Sequence, residues 1–342
     1  MNKCLSFDDV LLMPQYSDIR SRSEVDTSIM LGEEIFLHLP IVTSPMDTVT
    51  EERMAIEIGK LGGLGVVHRY NDIPTQASMI KKTVENVPAN VPVAAAIGIT
   101  GDFEERAAEL VRAGASVLCL DVAHGDHVLM RDALLQLKNA HADSVHFMAG
   151  NVASKAGFER LCEWGANSVR IGIGGGSICS TRIQTGHGVP TLQSIIDCAE
   201  VGDKYNVKLI ADGGIKNSGD IVKAIAAGAH MVMVGSLVAG TTETPGQVIN
   251  GNNSECYKVY RGMASREAQI KWRGKTSSLE GVSAFVPCRG DVRKVIDELV
   301  VGLRSGMSYS GAKSIAELHN NAVFIRQTGA GFHESTTHIL KR

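Results

Sequence analysis

The stretch Lys208–Ser236, which reads KLIADGGIKNSGDIVKAIAAGAHMVMVGS, holds two short apolar segments on either side of a segment with helical periodicity. The apolar segments are Lys208–Gly214 and Met231–Ser236, and both end in small residues that favour turns. Between them, in Gly219–Ala227, apolar residues recur at the spacing of an amphipathic helix. This order of strand, helix and strand predicts two parallel strands joined by a crossover helix.

The same unit recurs along the whole chain. Eight apolar, β-branched segments are bounded by Gly or polar turns and predict strands: Ile41–Met46, Gly63–His68, Val91–Gly98, Ser116–Ala123, His146–Val152, Ser168–Gly174, Lys208–Gly214 and Met231–Ser236. Helical periodicity separates most of them, as in Glu51–Leu61, Phe103–Ala113, Lys155–Trp164, Leu192–Tyr205 and Gly219–Ala227. Continuous apolar strands indicate parallel pairing with both faces covered. Eight units favour a closed (β/α)8 barrel, the TIM barrel of the α/β class, over an open sheet.

The totals are consistent with one soluble domain. A chain of 342 residues fits one α/β barrel, so we interpret residues 1–342 as a single catalytic domain with a flap at about 262–290, a helix over Asp291–Leu303 and a C-terminal tail. The formal net charge of -3 offers no basic surface for nucleic acid. Because neither a membrane-spanning run nor the apolar stretch of a signal peptide is present, we expect a cytoplasmic protein without a membrane partner.

The cysteine content suggests no cross-linked framework. The seven cysteines are an odd number and include no Cys-x-x-Cys pair, so neither a disulfide framework nor a zinc site is indicated. We expect most of them to be buried, small apolar residues.

One cysteine lies where a barrel performs its chemistry, at the C-terminal ends of the strands. The segment Gly172–Thr181, GIGGGSICST, follows a predicted strand. Its glycines let backbone groups approach a ligand or an ion, although an ordinary barrel loop would also contain such glycines. Cys179 favours the functional interpretation, because a thiolate is a strong nucleophile that can add to an electron-poor ring carbon.

Other polar residues follow the predicted strands. The turns after Asp212 and Val234 lie where barrels often bind phosphate through backbone amides, and Asp212 either takes ribose hydroxyls or caps a helix or turn. Asp121 could orient a ribose or a nicotinamide amide, while His124 is a candidate structural hydrogen-bonding residue. Beyond the barrel, Tyr260, Gly262 and Met263 could close over a base or form only a packed crossover, and Glu280 is a candidate carboxylate.

Six segments together resemble the IMP dehydrogenase/GMP reductase family: Phe7–Leu12, Ser44–Thr50, Gly172–Thr181, Ala211–Ile215, Tyr260–Ser265 and Gly302–Met307. The resemblance covers nearly the whole chain. It implies a (β/α)8 barrel, commonly a homotetramer, that binds IMP or GMP with a nicotinamide cofactor. It also implies a covalent bond between Cys179 and purine C2. The dehydrogenase branch then gives hydride to NAD and hydrolyses the adduct, whereas the reductase branch expels ammonia and receives hydride from NADPH.

The resemblance assigns roles residue by residue. Cys179, Thr181 and Glu280 match catalytic positions. The residues that match the nucleotide pocket are Ser44, Met46, Ser177, Asp212, Gly214, Gly235, Ser236, Tyr260, Gly262, Met263 and Ala264. Asp121 and Asn151 match positions near the cofactor. Gly174, Gly176 and Cys179 match carbonyl positions that hold potassium in dehydrogenases, and the tail segment Gly331–Ser335 resembles the neighbouring chain's share of that site.

Two absences favour a GMP reductase. Only a short linker joins His68 to Val91, where many dehydrogenases carry a paired regulatory insert, although some lack it. Fourteen residues separate Ser265 from Glu280 and include no Tyr, so the Arg-Tyr pair that activates water in dehydrogenases is missing and Arg273 is its nearest substitute. Thr181 and Glu280, in contrast, resemble the reductase's proton relay for the leaving amine.

Other features keep two alternatives open. Ser44-Pro45-Met46 and the tail Thr328–His338 resemble dehydrogenases, which oxidise IMP to XMP with NAD. Gly175 and Ser180 depart from the Pro and Thr that are frequent in both branches. These departures leave open an unusual base as substrate, or a catalytically silent protein that only binds purine nucleotides.

Overall fold

The computed structural model describes residues 3–141, 144–252, 255–276 and 279–337. Its centre is a closed barrel of eight parallel strands, which confirms the predicted fold. The strands are β1 (Ile41–Thr43), β2 (Leu64–Val67), β3 (Ala94–Ile97), β4 (Val117–Asp121), β5 (His146–Val152), β6 (Ser168–Ile171), β7 (Lys208–Asp212) and β8 (Met231–Val234). They pair in chain order, and β8 closes the barrel against β1. Each lies within a predicted segment, but several end earlier because the rim residues turn away into loops.

Helices follow the strands, and all but one cover the outside of the barrel. They are α1 (Glu52–Lys60), α2 (Ile73–Asn86), α3 (Phe103–Arg112), α4 (Val128–His141), α5 (Lys155–Glu163), α6 (Thr181–Thr185), α7 (Thr191–Tyr205) and α8 (Ser218–Ala226). The exception is the short α6, which lies at the rim just after Cys179. The prediction of a plain linker from His68 to Val91 was incomplete, because α2 lies within it. The side chain of Asp72 accepts a hydrogen bond from the amide of Thr75 and so caps the start of α2.

The hydrophobic core has two layers because the strand residues alternate in direction. In β3, Ala94 and Ala96 point into the barrel, whereas Ala95 and Ile97 face the helices. A short hairpin of Ile29–Met30 and Phe36–Leu37 precedes the barrel, and its Leu37 packs with the interior layer. The hairpin lies against the end where the strands begin. The opposite end of the barrel, where the strands end, is therefore open for an active site.

The chain after the barrel builds the flap. Strands β9 (Ile249–Asn250), β10 (Cys256–Arg261) and β11 (Ser283–Pro287) form an antiparallel sheet, and α9 (Arg266–Arg273) lies between β10 and β11. The loop after β1 is fixed to this sheet, since the Arg261 guanidinium forms an ion pair with Asp47. The flap is therefore attached to the barrel rim through β10.

Three helices end the described chain: α10 (Val292–Tyr309), α11 (Ile315–Asn321) and α12 (Gly329–Glu334). The predicted helix Asp291–Leu303 was too short, since α10 continues for two more turns. In the tail, α12 begins at Gly329, whereas His338 lies outside the described residues. Among the described helices, none is both long and apolar enough to span a membrane.

Candidate active site

A cavity of about 410 Å³ opens at the C-terminal ends of the strands. Every residue that the sequence predicted for the site lines it: Ser44, Met46, Asp121, Asn151, Gly174, Gly176, Ser177, Cys179, Thr181, Asp212, Gly214, Gly235, Ser236, Tyr260, Gly262, Met263, Ala264 and Glu280. Residues from the rim loops and from the flap thus meet around one space. His124 is exposed and does not line the cavity.

Three hydrogen-bonded side chains connect Cys179, the candidate nucleophile, to the flap. The Cys179 thiol donates to the Thr181 hydroxyl, with 3.2 Å between Sγ and Oγ1. The Thr181 hydroxyl in turn donates to the Glu280 carboxylate, with 2.8 Å between Oγ1 and Oε2. This arrangement gives the thiol proton a direct path to a carboxylate, which is the geometry of an activated nucleophile with a base.

Backbone contacts hold together the two segments that carry Cys179 and Glu280. The amide of Ser180 donates to the carbonyl of Glu280 at 3.1 Å, and the amide of Val282 donates to the carbonyl of Ile178 at 3.0 Å. Cys179 and Gly281 form an isolated antiparallel bridge. The cysteine loop and the returning flap are therefore paired like short strands, so the contact between Thr181 and Glu280 does not depend on flexible side chains alone.

Asp212 belongs to a charged network and does not cap the following helix. The side chain of Asn217 caps α8 instead, by accepting from the amide of Asp220. Oδ2 of Asp212 accepts from Nη2 of Arg170 at 2.8 Å and from Nδ2 of Asn151 at 2.7 Å. Asp212 also lines the cavity, so the functional interpretation of this carboxylate is favoured over the cap.

Arg170 joins the two rim carboxylates. Its Nη1 donates to Oδ1 of Asp121 at 2.6 Å, while its other edge binds Asp212. Burial alone would lower the pKa of Arg170, but Cys119, Asp212 and Asp121 outweigh it and raise that pKa well above its ordinary value. Arg170 therefore stays charged and holds both carboxylates in fixed orientations at the mouth of the barrel.

Tyr260 holds the side of the cavity formed by β8. Its side chain is 5% exposed, and its hydroxyl is hydrogen-bonded with Ser177 and Ser236. Burial raises the pKa of Tyr260, so the hydroxyl stays protonated. Gly235 is required here, since a Cβ would lie 2.9 Å from both the Ser44 Oγ and the Tyr260 hydroxyl oxygen. These contacts bring hydroxyl groups from three separate segments together.

Replacement of Tyr260 by Phe tests this arrangement. The change removes only the hydroxyl, so Ser177 and Ser236 lose a shared partner while the ring still fills its space. We expect KM for the nucleotide to rise roughly fivefold, because one net hydrogen bond contributes about 1 kcal/mol. Steady-state kinetics measures the change, and Tyr16→Phe, at a 90% exposed tyrosine, is the matched control. An unchanged KM would contradict the assignment of the Tyr260 hydroxyl to the nucleotide pocket.

Gly175 is a departure from the family pattern that the structure explains. A Cβ at this position would lie 2.3 Å from Oγ1 of Thr191, a buried hydroxyl with no partner among the described residues. Thr191, the first residue of α7, therefore occupies the space that a larger residue would need.

Gly175→Ala is thus expected to displace the cysteine loop. We expect a loss of about 1–3 kcal/mol in stability, as overpacking of a filled core produces, together with reduced turnover. Thermal unfolding and kinetics measure both. The double variant Gly175→Ala with Thr191→Ala should recover most of the loss, since the clashing hydroxyl is then absent. A double variant as unstable as Gly175→Ala alone would rule out this contact as the cause.

Sequence reasoning missed an aromatic and cationic cluster at the mouth. The rings of Tyr70 and Trp272 stack at 4.1 Å between centroids, and Arg273 lies 3.9 Å over the Trp272 ring. Arg69, Tyr70 and Arg273 line the cavity. Their rim position directly after β2 was a usable signal for Arg69 and Tyr70. The stacking of Tyr70 on Trp272 had no such signal, because some two hundred residues of sequence separate the two rings.

Comparisons with known proteins agree with this site. The family model described as "IMP dehydrogenase / GMP reductase domain" matches residues 4–338. An inosine-5'-monophosphate dehydrogenase of Nitrosopumilus maritimus is 33% identical, with 98% of each chain covered. A GMP reductase of Leishmania major is also 33% identical, with 99% of this chain and 97% of the relative covered. A solved GMP reductase of Trypanosoma brucei in complex with guanosine 5'-monophosphate superposes with a TM-score of 0.93 at 32% identity and covers 100% of this chain and 99% of that one.

The alignment lengths bear on the absence of the paired regulatory insert, which was one of the two features that favoured a reductase. The alignments with these two curated relatives span 467 and 479 positions, against 342 residues in this chain. Both relatives, one from each branch, thus have many residues that this chain lacks. The missing insert therefore does not separate a reductase from a dehydrogenase.

Proposed function

The chain belongs to the IMP dehydrogenase/GMP reductase family, and from this premise we propose that it is a GMP reductase. The family consists of nicotinamide-dependent purine nucleotide oxidoreductases. The proposed reaction is the NADPH-dependent reductive deamination of GMP to IMP through a covalent bond between Cys179 and purine C2. The observation that carries the proposal is the hydrogen-bonded chain from Cys179 through Thr181 to Glu280.

This chain of groups can serve both halves of a deamination. The Cys179 proton passes through Thr181 to Glu280, and the resulting thiolate adds to C2 of GMP. Protonated Glu280 then returns the proton through Thr181 to the 2-amino group, which leaves as ammonia while Cys179 stays bound to C2. One carboxylate thus acts first as base and then as acid, and no water needs to be activated.

The remaining pocket residues bind the nucleotide in this proposal. Ser177, Ser236 and the backbone after Asp212 and Val234 hold the phosphate, where barrels of this class bind it. Asp212 takes the ribose hydroxyls with the oxygen that Arg170 leaves free. Met46, Met263 and Ala264 lie at the base. The GMP complex of the Trypanosoma brucei enzyme supports this assignment of the substrate class.

The cavity also contains polar atoms without a hydrogen bond that fit a nicotinamide amide. Asn151 Oδ1 and Arg69 Nε are buried and have no hydrogen-bond partner among the described residues, although Arg69 Nε lies 4.0 Å from Oδ2 of Asp121. An amide offers both a donor and an acceptor, so these two atoms together with Asp121 would hold the cofactor beside Cys179. When bound, NADPH supplies the hydride that releases the purine from Cys179 as IMP.

Two further assignments rest on the resemblance. The carbonyls of Gly174, Gly176 and Cys179 are an all-oxygen set suited to potassium, and Gly176 retains a lone pair beside its bond from the Cys179 amide. We propose a potassium site there and a homotetrameric assembly. Turnover in potassium compared with sodium tests the former, and sedimentation of the purified protein tests the latter.

Nicotinamide absorbance in two mixtures tests the reaction itself. With GMP and NADPH we expect the near-ultraviolet absorbance to fall as IMP forms. With IMP, NAD and potassium, a sustained rise would instead assign the dehydrogenase, the candidate favoured by Ser44-Pro45-Met46. Tight binding of both nucleotides without any absorbance change would favour a catalytically silent binding protein.

A further inference from the structure

Two cysteines face each other at the base of the flap. Cys256 is the first residue of β10, and Cys288 directly follows the end of β11. The register of the two strands pairs Tyr257 with Pro287, which places Cys256 opposite Cys288. The amide of Cys288 donates to the carbonyl of Cys256 at 2.9 Å. They are therefore directly opposite each other in a hydrogen-bonded position of the ladder.

This position suits a covalent link. Residues opposite each other in such a pair have Cα atoms about 5.5 Å apart, within the range of roughly 4.4–6.8 Å that disulfides span. The two thiol groups also lie close enough for Cys256 to raise the pKa of Cys288. A bond between the sulfurs would thus require little movement of the backbone.

The pair differs from the other cysteines of the protein. The expectation that most cysteines are buried was wrong, since among the described residues only Cys119 and Cys198 are buried. Burial raises the pKa of the Cys198 thiol to about 12, which removes its reactive thiolate. Cys256 and Cys288 are partly exposed. An oxidant can therefore reach them.

A neighbouring cation limits the rise in pKa at one thiol of the pair. Contact with Cys256 raises the pKa of the Cys288 thiol, while Lys258 opposes that rise. Lys258 is itself fixed, since its ammonium donates to the carbonyls of Thr241 at 2.9 Å and Thr244 at 2.7 Å. Cys256 and Lys258 are two residues apart on one strand and so share a face. The fixed positive charge of Lys258 therefore acts on the Cys288 thiol.

We propose that Cys256 and Cys288 are a thiol oxidation site whose disulfide fixes the base of the flap. The oxidant is a small disulfide such as oxidised glutathione. One thiolate attacks it, forms a mixed disulfide and releases one glutathione thiolate. The second cysteine, after losing its proton to solvent, attacks the sulfur of the first cysteine, so that the protein disulfide forms and the second glutathione thiolate leaves. Two protein thiols are oxidised and one small disulfide is reduced.

A disulfide between Cys256 and Cys288 would affect the flap, because the flap segment lies between them in the sequence. Residues 257–287 lie between the cysteines and include α9 and Glu280. A disulfide would prevent β10 and β11 from separating and so restrict opening of the flap. Lys271, Arg273 and Lys275 are exposed trypsin sites. Cleavage there requires local unfolding of the segment that carries them, which the disulfide would restrict.

Treatment of the full-length protein with oxidised glutathione, followed by alkylation and peptide mass mapping, tests the site. We expect a linked peptide pair containing Cys256 and Cys288, which dithiothreitol removes. The pair should form equally in Cys4→Ser, the exposed control, and be absent from Cys256→Ser and from Cys288→Ser. Only glutathione adducts on single cysteines in the wild-type protein would overturn the proposal.

Trypsin cleavage within 266–276 provides the second measurement. We expect the oxidised wild type to be cleaved at least about fivefold more slowly than the reduced protein, with no such difference in Cys288→Ser. Equal rates despite a mapped disulfide would overturn the link to the flap. Neither readout depends on the reaction that the protein catalyses.

Discussion

Cys179→Ala is expected to abolish NADPH oxidation with GMP, with a loss of at least roughly a thousandfold in kcat, or about 4 kcal/mol of activation free energy. The side chain is the only part of the proposed site that can form a covalent bond to purine C2. Ala removes the sulfur and leaves the loop backbone, including its bridge to Gly281, in place. GMP binding should therefore persist while turnover is lost, and titration of bound nucleotide beside the steady-state assay separates the two.

The control for this variant is Cys4→Ala. Cys4 is exposed and does not line the cavity, so its replacement should leave kcat unchanged. Substantial turnover in Cys179→Ala, with intact folding shown by the thermal midpoint, would contradict covalent catalysis through this residue. It would leave the family assignment untouched, because that rests on the whole chain.

The barrel was predictable because its strands are short, continuous apolar segments, a pattern that depends only on local sequence. The missed helix α2 shows where such patterns fail. Its buried face includes Gln76, whose amide donates to the Ala96 carbonyl at 2.8 Å and accepts from Arg106 at 2.7 Å. A polar residue on the buried side breaks the apolar periodicity, and only the tertiary partners make it favourable.

The predicted length of α10 was wrong for a related reason. Gly302 and Gly306 favour a helix end in a sequence, but here they let α10 approach α8 closely. A Cβ on Gly302 would lie 2.1 Å from the Ser218 Oγ, and one on Gly306 would lie 2.5 Å from Val222. Close packing between helices thus requires these glycines within α10.

The candidate site was predicted in position more completely than in its interactions. The predicted site residues all line one cavity, and those at the ends of the barrel strands meet there because parallel strands end at a common edge. The partners of those residues were not predictable, since Arg170 on β6 bridges Asp121 at the end of β4 and Asp212 at the end of β7. The bond between Thr181 and Glu280 likewise depends on how the flap returns to the rim.

Glu280→Gln tests that returning segment directly. Gln keeps the size and the backbone contacts of Glu280 but cannot take or return a proton, so we expect kcat for GMP reduction to fall by roughly 10²–10⁴ with little change in KM for GMP. Glu267→Gln, at an exposed flap position, should retain full activity. Thr181→Val interrupts the same chain at its middle and should cause a similar loss. Because the two residues pass one proton, the double variant should be no slower than the slower single variant. Losses that multiply would show that Thr181 and Glu280 act independently, and the relay would then be wrong.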